Sequence, residues 1–401
     1  MNLTSEHPFW AVRNGILSTY PPLLEDEACG ILVLGAGITG ALVTEALASD
    51  GHDVITLDAR DVGRGSTSAS TALLQYEVDT HLVDLIKRHG RLMGELAYTA
   101  CHESIDILER RIQTLSIDCD FLRKDSVYLA SREKDWPVLR EEAGARRKIG
   151  IQVEEWDATD VAEKFGFYRP GALHSIQGAE VDAYKLTHGL LRAAAAKGAR
   201  IFDRTTATEV EHHAGGITVT TCRGTTVRAR KVIVATGYEA AELFDTGRFV
   251  NLNSSFAIAS EPIPDEDAWW RRCLLWESAR PYFYLRGGAG GRAIFGGEDV
   301  PFRNAKARDR VLPAKADKLT ARFREMFPAI RLEPAFEWAG TFGETEDGLA
   351  YIGPYEKHPD CLFALGFGGN GITYSVIAAE IIRSHLRGKE HRYAEVFRFD
   401  R

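Results

Sequence analysis

The chain has 401 residues, 45% of them apolar and 26% charged, with 49 basic and 57 acidic side chains for a net charge of −8. At roughly 150 residues per domain this length gives two or three domains with a sizeable core, which excludes stapled mini-proteins and disordered chains. The negative balance disfavours nucleic acid, whose phosphates select basic proteins.

In chain order, residues 30–34 form a short apolar run with the character of a buried strand. A glycine turn follows, then residues 41–48 with helical spacing, closed by Gly51, and a second apolar run over 53–58, which together make a βαβ unit. Residues 81–115 and 132–148 carry helical patterns on either side of a predicted strand at 121–130. Asp182 caps a helix over 183–197 that Gly198 ends, and strands are expected at 200–202, 217–222 and 231–235. From 251 to 297 the chain turns into aromatic strand-like pieces broken by Gly and Pro, including 282–286 and 292–295, whose natural home is an antiparallel sheet. A strand at 361–365, a glycine loop at 366–371 and a helix at 375–386 complete the order. No internal repeat or low-complexity segment interrupts it.

Cys29, Cys101, Cys119, Cys222, Cys273 and Cys361 lie far apart, without a CxxC pair or zinc-ligand spacing, so reduced thiols and no metal site are expected. The longest apolar stretch, 30–48, contains Thr39, Thr44 and Glu45 and follows Glu25, Asp26 and Glu27, the opposite of a basic signal-peptide start. The expectation is a cytoplasmic chain with no membrane span.

The sharpest motif is Gly35-Ala36-Gly37-Ile38-Thr39-Gly40, a GxGxxG placed between predicted strand and helix. Gly35 permits the turn, Gly37 lets backbone N–H groups approach a pyrophosphate at the positive helix end, and Gly40 allows close packing. Asp58, 18 residues beyond Gly40, ends the next strand, where a carboxylate can accept hydrogen bonds from an adenosine ribose. A dinucleotide site is the functional reading, against a plain packed glycine turn.

The hydroxyl-rich loop 63–72 follows directly, and with it the chain resembles the D-amino-acid oxidase/glycine oxidase-like (DAO) superfamily of FAD-dependent oxidoreductases. The resemblance also rests on Trp10, the Tyr20-Pro21-Pro22-Leu23 lead-in, the run 232–237, Trp338-Ala339-Gly340, Asp347-Gly348-Leu349, Ile352-Gly353 and the loop 366–371. The lead-in is most similar to gamma-glutamylputrescine oxidoreductase-type members. The family implies FAD as cofactor, held by the GxGxxG residues and by Asp58 with Ala59 and Arg60. It adds Gly65, Ser66 and Thr67, then Ser70, Thr71, Ala72 and Leu73 beside the flavin. Thr236, Gly237 and Gly340 follow, and last Gly368, Gly369, Asn370, Gly371, Ile372 and Thr373, where a helix N-terminus can face the electron-rich edge of a reduced flavin.

The implied fold is α/β, a Rossmann-like FAD-binding domain from 1–76, 180–240 and 340–401. An α+β substrate domain with a mainly antiparallel sheet takes 77–179 and 241–339. The implied reaction is hydride transfer from the C–N carbon of a small amine or amino-acid-like substrate, giving an imine that hydrolyses, with oxygen or another electron acceptor left open. A nicotinamide-dependent dehydrogenase would share the first βαβ unit, and a non-catalytic flavin-binding protein would share the whole cofactor pattern.

Departures from the family pattern concern the substrate. Where glycine-oxidase-like relatives place a carboxylate-binding arginine, two residues beyond Trp-Ala-Gly, this chain has Phe342. Arg286 could supply a substitute cation, although an exposed arginine is the plainer reading. Tyr282, Tyr284, Trp338 and Phe342 could instead offer aromatic faces to a cationic or neutral amine. The family's oxygen-activating lysine is also missing, and Ile294 stands in the matching stretch. Cys361 and His174 read as a buried thiol and a surface imidazole rather than as a flavin anchor and a base. No serine sits in a nucleophile elbow.

Overall fold

The computed structural model describes residues 2–5, 7–245 and 249–401, arranged around two sheets. The first has eight strands. Its path runs Tyr351–Pro354, Cys361–Leu365, Thr226–Val234, Glu27–Leu34, Val54–Leu57 and Arg200–Phe202, and the hairpin Ala207–His213/Gly216–Thr221 extends Thr226–Val234. Leu34 lies opposite both Leu57 and Val234 in parallel register, so the strand ends converge where the glycine turn begins. Strands this apolar must be covered on both faces. The helix Ile38–Ser49 is buried at every position but its last, enclosed by the helices Ala183–Ala196 and Gly371–Leu386.

The second sheet has nine strands, in the order Pro334–Glu344, Asn251–Pro262, Arg292–Pro301, Phe283–Gly287, Leu274–Glu277, Leu122–Leu129, Gly171–Glu180 and Leu73–Gln75, with Glu154–Asp157 added beside Gly171–Glu180. All pairs are antiparallel except Leu274–Glu277 with Leu122–Leu129. The long helix Ala305–Met326, on which the sequence reading is silent, lays Leu319, Phe323 and Met326 on one face of this sheet against Phe256, Phe283 and Phe295.

Three expectations need correction. Leu73–Gln75 pairs with Gly171–Glu180 and belongs to the antiparallel sheet, not to the nucleotide-binding unit. The boundary at 340 cuts through the continuous strand Pro334–Glu344. Helix Arg91–Leu115 packs Ala97, Cys101, Ile105 and Leu108 into an apolar cluster shared with Leu42, Ile377 and Ile381 on one side and Leu74, Tyr128 and Leu173 on the other. Helix Gly371–Leu386 also begins four residues earlier than the sequence suggests. Among the described residues, no helix is long and apolar enough to cross a membrane, and no cluster of His, Cys, Asp or Glu could hold a metal ion. Cys222 is exposed and the other five cysteines are buried and free.

Candidate active site

Gly35 turns the chain at φ +100°, and a Cβ there would stand 2.4 Å from the Ala235 carbonyl oxygen. A Cβ on Gly40 would stand 1.8 Å from the Gly35 oxygen, so neither position admits a side chain. A Cβ on Gly37 would stand 3.0 Å from Thr67 Oγ1, which accepts the Ile38 N–H at 2.9 Å, so a side chain there would crowd the hydroxyl that caps the helix start. The positive end of helix Ile38–Ser49 faces a cavity.

Asp58 borders the same space. Its Oδ2 accepts the Ala36 N–H at 2.7 Å and its Oδ1 the Arg60 N–H at 2.8 Å, while burial pushes the carboxyl up to about 6. Arg60 Nη2 lies 2.5 Å from Glu239 Oε1. Thr236 Oγ1 is buried and has no hydrogen-bond partner among the described residues.

From these groups a cavity of about 790 Å³ runs between the two sheets to Tyr282, Tyr284, Trp338 and Phe342. Its wall takes in Gly35, Gly37, Ile38, Thr39, Asp58, Ala59 and Arg60, the loop residues Gly65, Ser66 and Thr67 with Ser70 to Leu73, then Thr236, Gly237, Gly340 and Gly368 to Ile372. Gly40 and Thr373 lie behind it; Thr373 Oγ1 bonds the Asn370 carbonyl at 2.9 Å. Asn370 Nδ2 donates to the carbonyls of Gln75 and Glu77, tying the start of helix Gly371–Leu386 to the strand opposite.

An elongated space with a carboxylate at one end, an orphaned hydroxyl and a glycine-lined helix N-terminus along it, and a second helix N-terminus beside aromatic walls fits FAD. Asp58 would hold the ribose, the Gly37–Ile38 turn the pyrophosphate, and the segments 70–73 and 368–372 would flank the isoalloxazine.

Arg286 is not a cavity residue, which corrects both readings of it. It is 1% exposed, and its Nη1 donates to the carbonyls of Thr71, Ala72 and Val181 at 3.0, 2.8 and 2.9 Å. His174 is equally committed, bonded to Glu154 and Asp125 and stacked on Trp156. Cys361 sits in the core of its strand. Ile294 is fully buried with Phe9, Trp10 and Trp338, outside the cavity.

Residues the sequence reading missed complete the aromatic end. Gln75, Asp79, Ser255 and Trp276 line it, and Tyr284 Oη lies 3.2 Å from Ser255 Oγ. At Asp79, Tyr282 and Gly368 the space continues into an outer cavity of about 390 Å³ bordered by Asp299, Glu344, Glu346 and Arg280. Burial, reinforced by the neighbouring carboxylates, pushes Asp299 and Glu344 each up to about 6. Arg280 stands 3.4 Å from Asp79 and 4.5 Å over the Tyr282 ring. Among the described residues lining the main cavity Arg60 is the single basic side chain, and it is paired with Glu239. The alternation Leu73, Gln75, Glu77, Asp79 after the loop was the one available signal for part of this set.

A family model described as FAD dependent oxidoreductase, DAO, matches residues 30–384. The chain is 25% identical over 386 residues to a probable oxidoreductase OrdL of Haemophilus influenzae, covering 93% of this chain and 86% of the relative. It is also 25% identical over 403 residues to the gamma-glutamylputrescine oxidoreductase of Escherichia coli, covering 96% and 90%. The crystal structure of glycine oxidase from Geobacillus kaustophilus shares the fold, with a TM-score of 0.77 at 21% identity over 91% of this chain and 96% of that one.

Proposed function

Since the chain belongs to the DAO family of FAD dependent oxidoreductases, we propose that it oxidises the C–N bond of an amine in preference to an α-amino acid. The observation that carries this reading is the charge of the substrate end of the cavity. Phe342 and Asp79 stand in its wall, no basic side chain lines it among the described residues, and the nearby Arg280 is paired with Asp79 at 3.4 Å. A substrate carboxylate held there would be a desolvated charge without a partner, a penalty on the order of 3–5 kcal/mol.

An ammonium finds the reverse. Asp79, Asp299, Glu344 and Glu346 outnumber Arg280 around the outer cavity, so the field draws a cation inward. Inside, the faces of Tyr282, Tyr284 and Trp276 offer roughly 0.5–2 kcal/mol of cation–π attraction. Bound FAD supplies the hydride acceptor. The ammonium gives up its proton to water before the hydride can leave; the protein then holds the C–H bond of the neutral amine toward the acceptor, excludes bulk water between the two sheets, and sets Asp79 beside the nitrogen, where an iminium charge develops. The imine formed is hydrolysed by water.

The test is anaerobic mixing of the FAD-loaded protein with matched pairs, each an amino acid and its decarboxylated amine, while flavin absorbance is followed. Faster bleaching by the amines supports the reading. Faster bleaching by the acids overturns it, and no bleaching by any substrate would leave a flavin-binding protein without turnover.

A further inference from the structure

The short segment between helix Ser66–Ala69 and strand Leu73–Gln75 has its carbonyls gripped one after another. Trp338 Nε1 donates to Ala69 O at 2.8 Å and Trp10 Nε1 to Ser70 O at 2.7 Å. Arg286 Nη1 takes both Thr71 O and Ala72 O, and the guanidinium carbon lies 5.4 Å over the Trp10 ring. Trp10 is 0% exposed and Arg286 1%, and neither lines the cavity that residues 70–73 face.

A trans peptide is planar, so each carbonyl and the N–H that follows it point opposite ways. Pulling Ser70 O back to Trp10 turns the Thr71 N–H forward, and pulling Thr71 O back to Arg286 does the same for Ala72. The Ala72 N–H is spent within the turn on Ser70 Oγ at 3.1 Å. The Thr71 N–H makes no hydrogen bond among the described residues, and Thr71 lines the cavity, so this donor is left for what the cavity holds. Ala72 holds φ +56°, a left-handed conformation unfavourable for a residue with a Cβ, which the clamp on its two flanking carbonyls maintains.

We propose that Arg286, backed by Trp10, is a positioning residue for the cofactor: it fixes the Thr71 N–H as a hydrogen-bond donor to an acceptor atom on the edge of the isoalloxazine, and so raises the flavin's affinity for electrons and nucleophiles. This rests on FAD binding and not on the choice of amine over amino acid. Arg286 thus serves the flavin from behind the wall, where a substrate carboxylate cannot reach it. Nearby Glu180 Oε2, 3.6 Å from Arg286 Nε, keeps the buried charge balanced.

The test uses FAD-loaded Arg286→Met, Arg286→Lys and Trp10→Phe, with sulfite as probe because it adds to the oxidised flavin ring without using the substrate site's selectivity. Loss of one oriented hydrogen bond should weaken sulfite binding roughly three- to tenfold in Arg286→Met. The shift should be smaller in Trp10→Phe and partly restored in Arg286→Lys, each with a displaced visible flavin band. Unchanged sulfite affinity and spectrum in folded Arg286→Met overturn the proposal. So does a selective loss of amine or amino-acid affinity with sulfite unaffected, which would make Arg286 a substrate residue. Should Arg286→Met fail to retain FAD, Trp10→Phe decides, since it deletes one donor and keeps most of the ring's packing; wild-type sulfite affinity there would sink the idea.

Discussion

The Ala36 N–H donates to Asp58 Oδ2 at 2.7 Å, so the acid that ends the second strand is fastened to the glycine turn that ends the first. The same carboxylate receives the Arg60 N–H at 2.8 Å. Asp58 therefore braces the glycine turn, and in the FAD site proposed above the same carboxylate would hold the ribose.

Asp58→Ala should lose on both counts. Two backbone N–H groups are stranded, so urea unfolding of the cofactor-free protein should show a loss of about 1–3 kcal/mol. FAD titration of the same preparation should show weakened binding beyond that loss. A variant that is less stable but binds FAD as wild type would reduce Asp58 to a brace alone.

How far the sequence reveals this molecule depends on whether the cause is local. Gly35 and Gly40 are legible because sterics leave no alternative residue where a Cβ would meet a carbonyl oxygen. The sheet membership of Leu73–Gln75 and Gly340 is hidden in the sequence because their partners, Gly171–Glu180 and Asn251–Pro262, are remote and nothing nearby encodes the pairing. The place of Arg286 is not legible in the sequence because its partners are backbone carbonyls, which carry no side-chain signature. The helix Ala305–Met326 is not legible in the sequence because Pro313 and many charged residues dilute its apolar face. Asp79, Asp299 and Glu344 meet only after three distant segments converge.

Reoxidation of the reduced protein by oxygen should be slow beside that by a dye acceptor. Ile294 stands where relatives are expected to carry lysine, and it is sealed among Phe9, Trp10 and Trp338. The basic residue that does line the cavity, Arg60, belongs to its opposite end and is paired with Glu239. A fixed positive charge beside the flavin would stabilise the developing superoxide-like anion. Stopped-flow mixing with oxygen gives the rate directly, and a value matching substrate turnover would show that another cation, such as Arg280 or Arg286, reaches the flavin's field.

Phe342→Arg should move selectivity toward amino acids. Phe342 lies opposite Asn253 in the register of the antiparallel sheet and borders the cavity, so a guanidinium there can form a charge-assisted pair with a substrate carboxylate. The ratio of reduction rates, acid over matched amine, should rise at least about tenfold, the value of a hydrogen bond to a charged group. An unchanged ratio in a folded, FAD-loaded variant would place the substrate away from this wall.

The outer cavity should make substrate capture depend on pH and salt in a defined direction. Asp299 and Glu344 titrate near about 6, above their ordinary values of 3.8 and 4.5, because burial and the facing carboxylates, Asp79 included, disfavour the charged form, while Arg280 partly offsets this. A raised carboxyl contributes stability that is complete below its unfolded value and is lost as pH rises through the folded one. Asp299→Asn/Glu344→Gln should therefore be at least as stable as wild type at pH 8 and lose that advantage by about pH 4. Function runs the other way, since the ionised pair attracts a cationic amine only above about 6. At low salt and neutral pH the double variant should need roughly three- to tenfold more amine for half-maximal flavin reduction, with the limiting rate little changed. That gap should close on acidification below 6, where wild type loses the same charges. It should also shrink in high salt, which screens exposed charges beyond a few ångströms. Equal amine requirements for variant and wild type at low salt would show that the carboxylates of the mouth do not face the path the substrate takes.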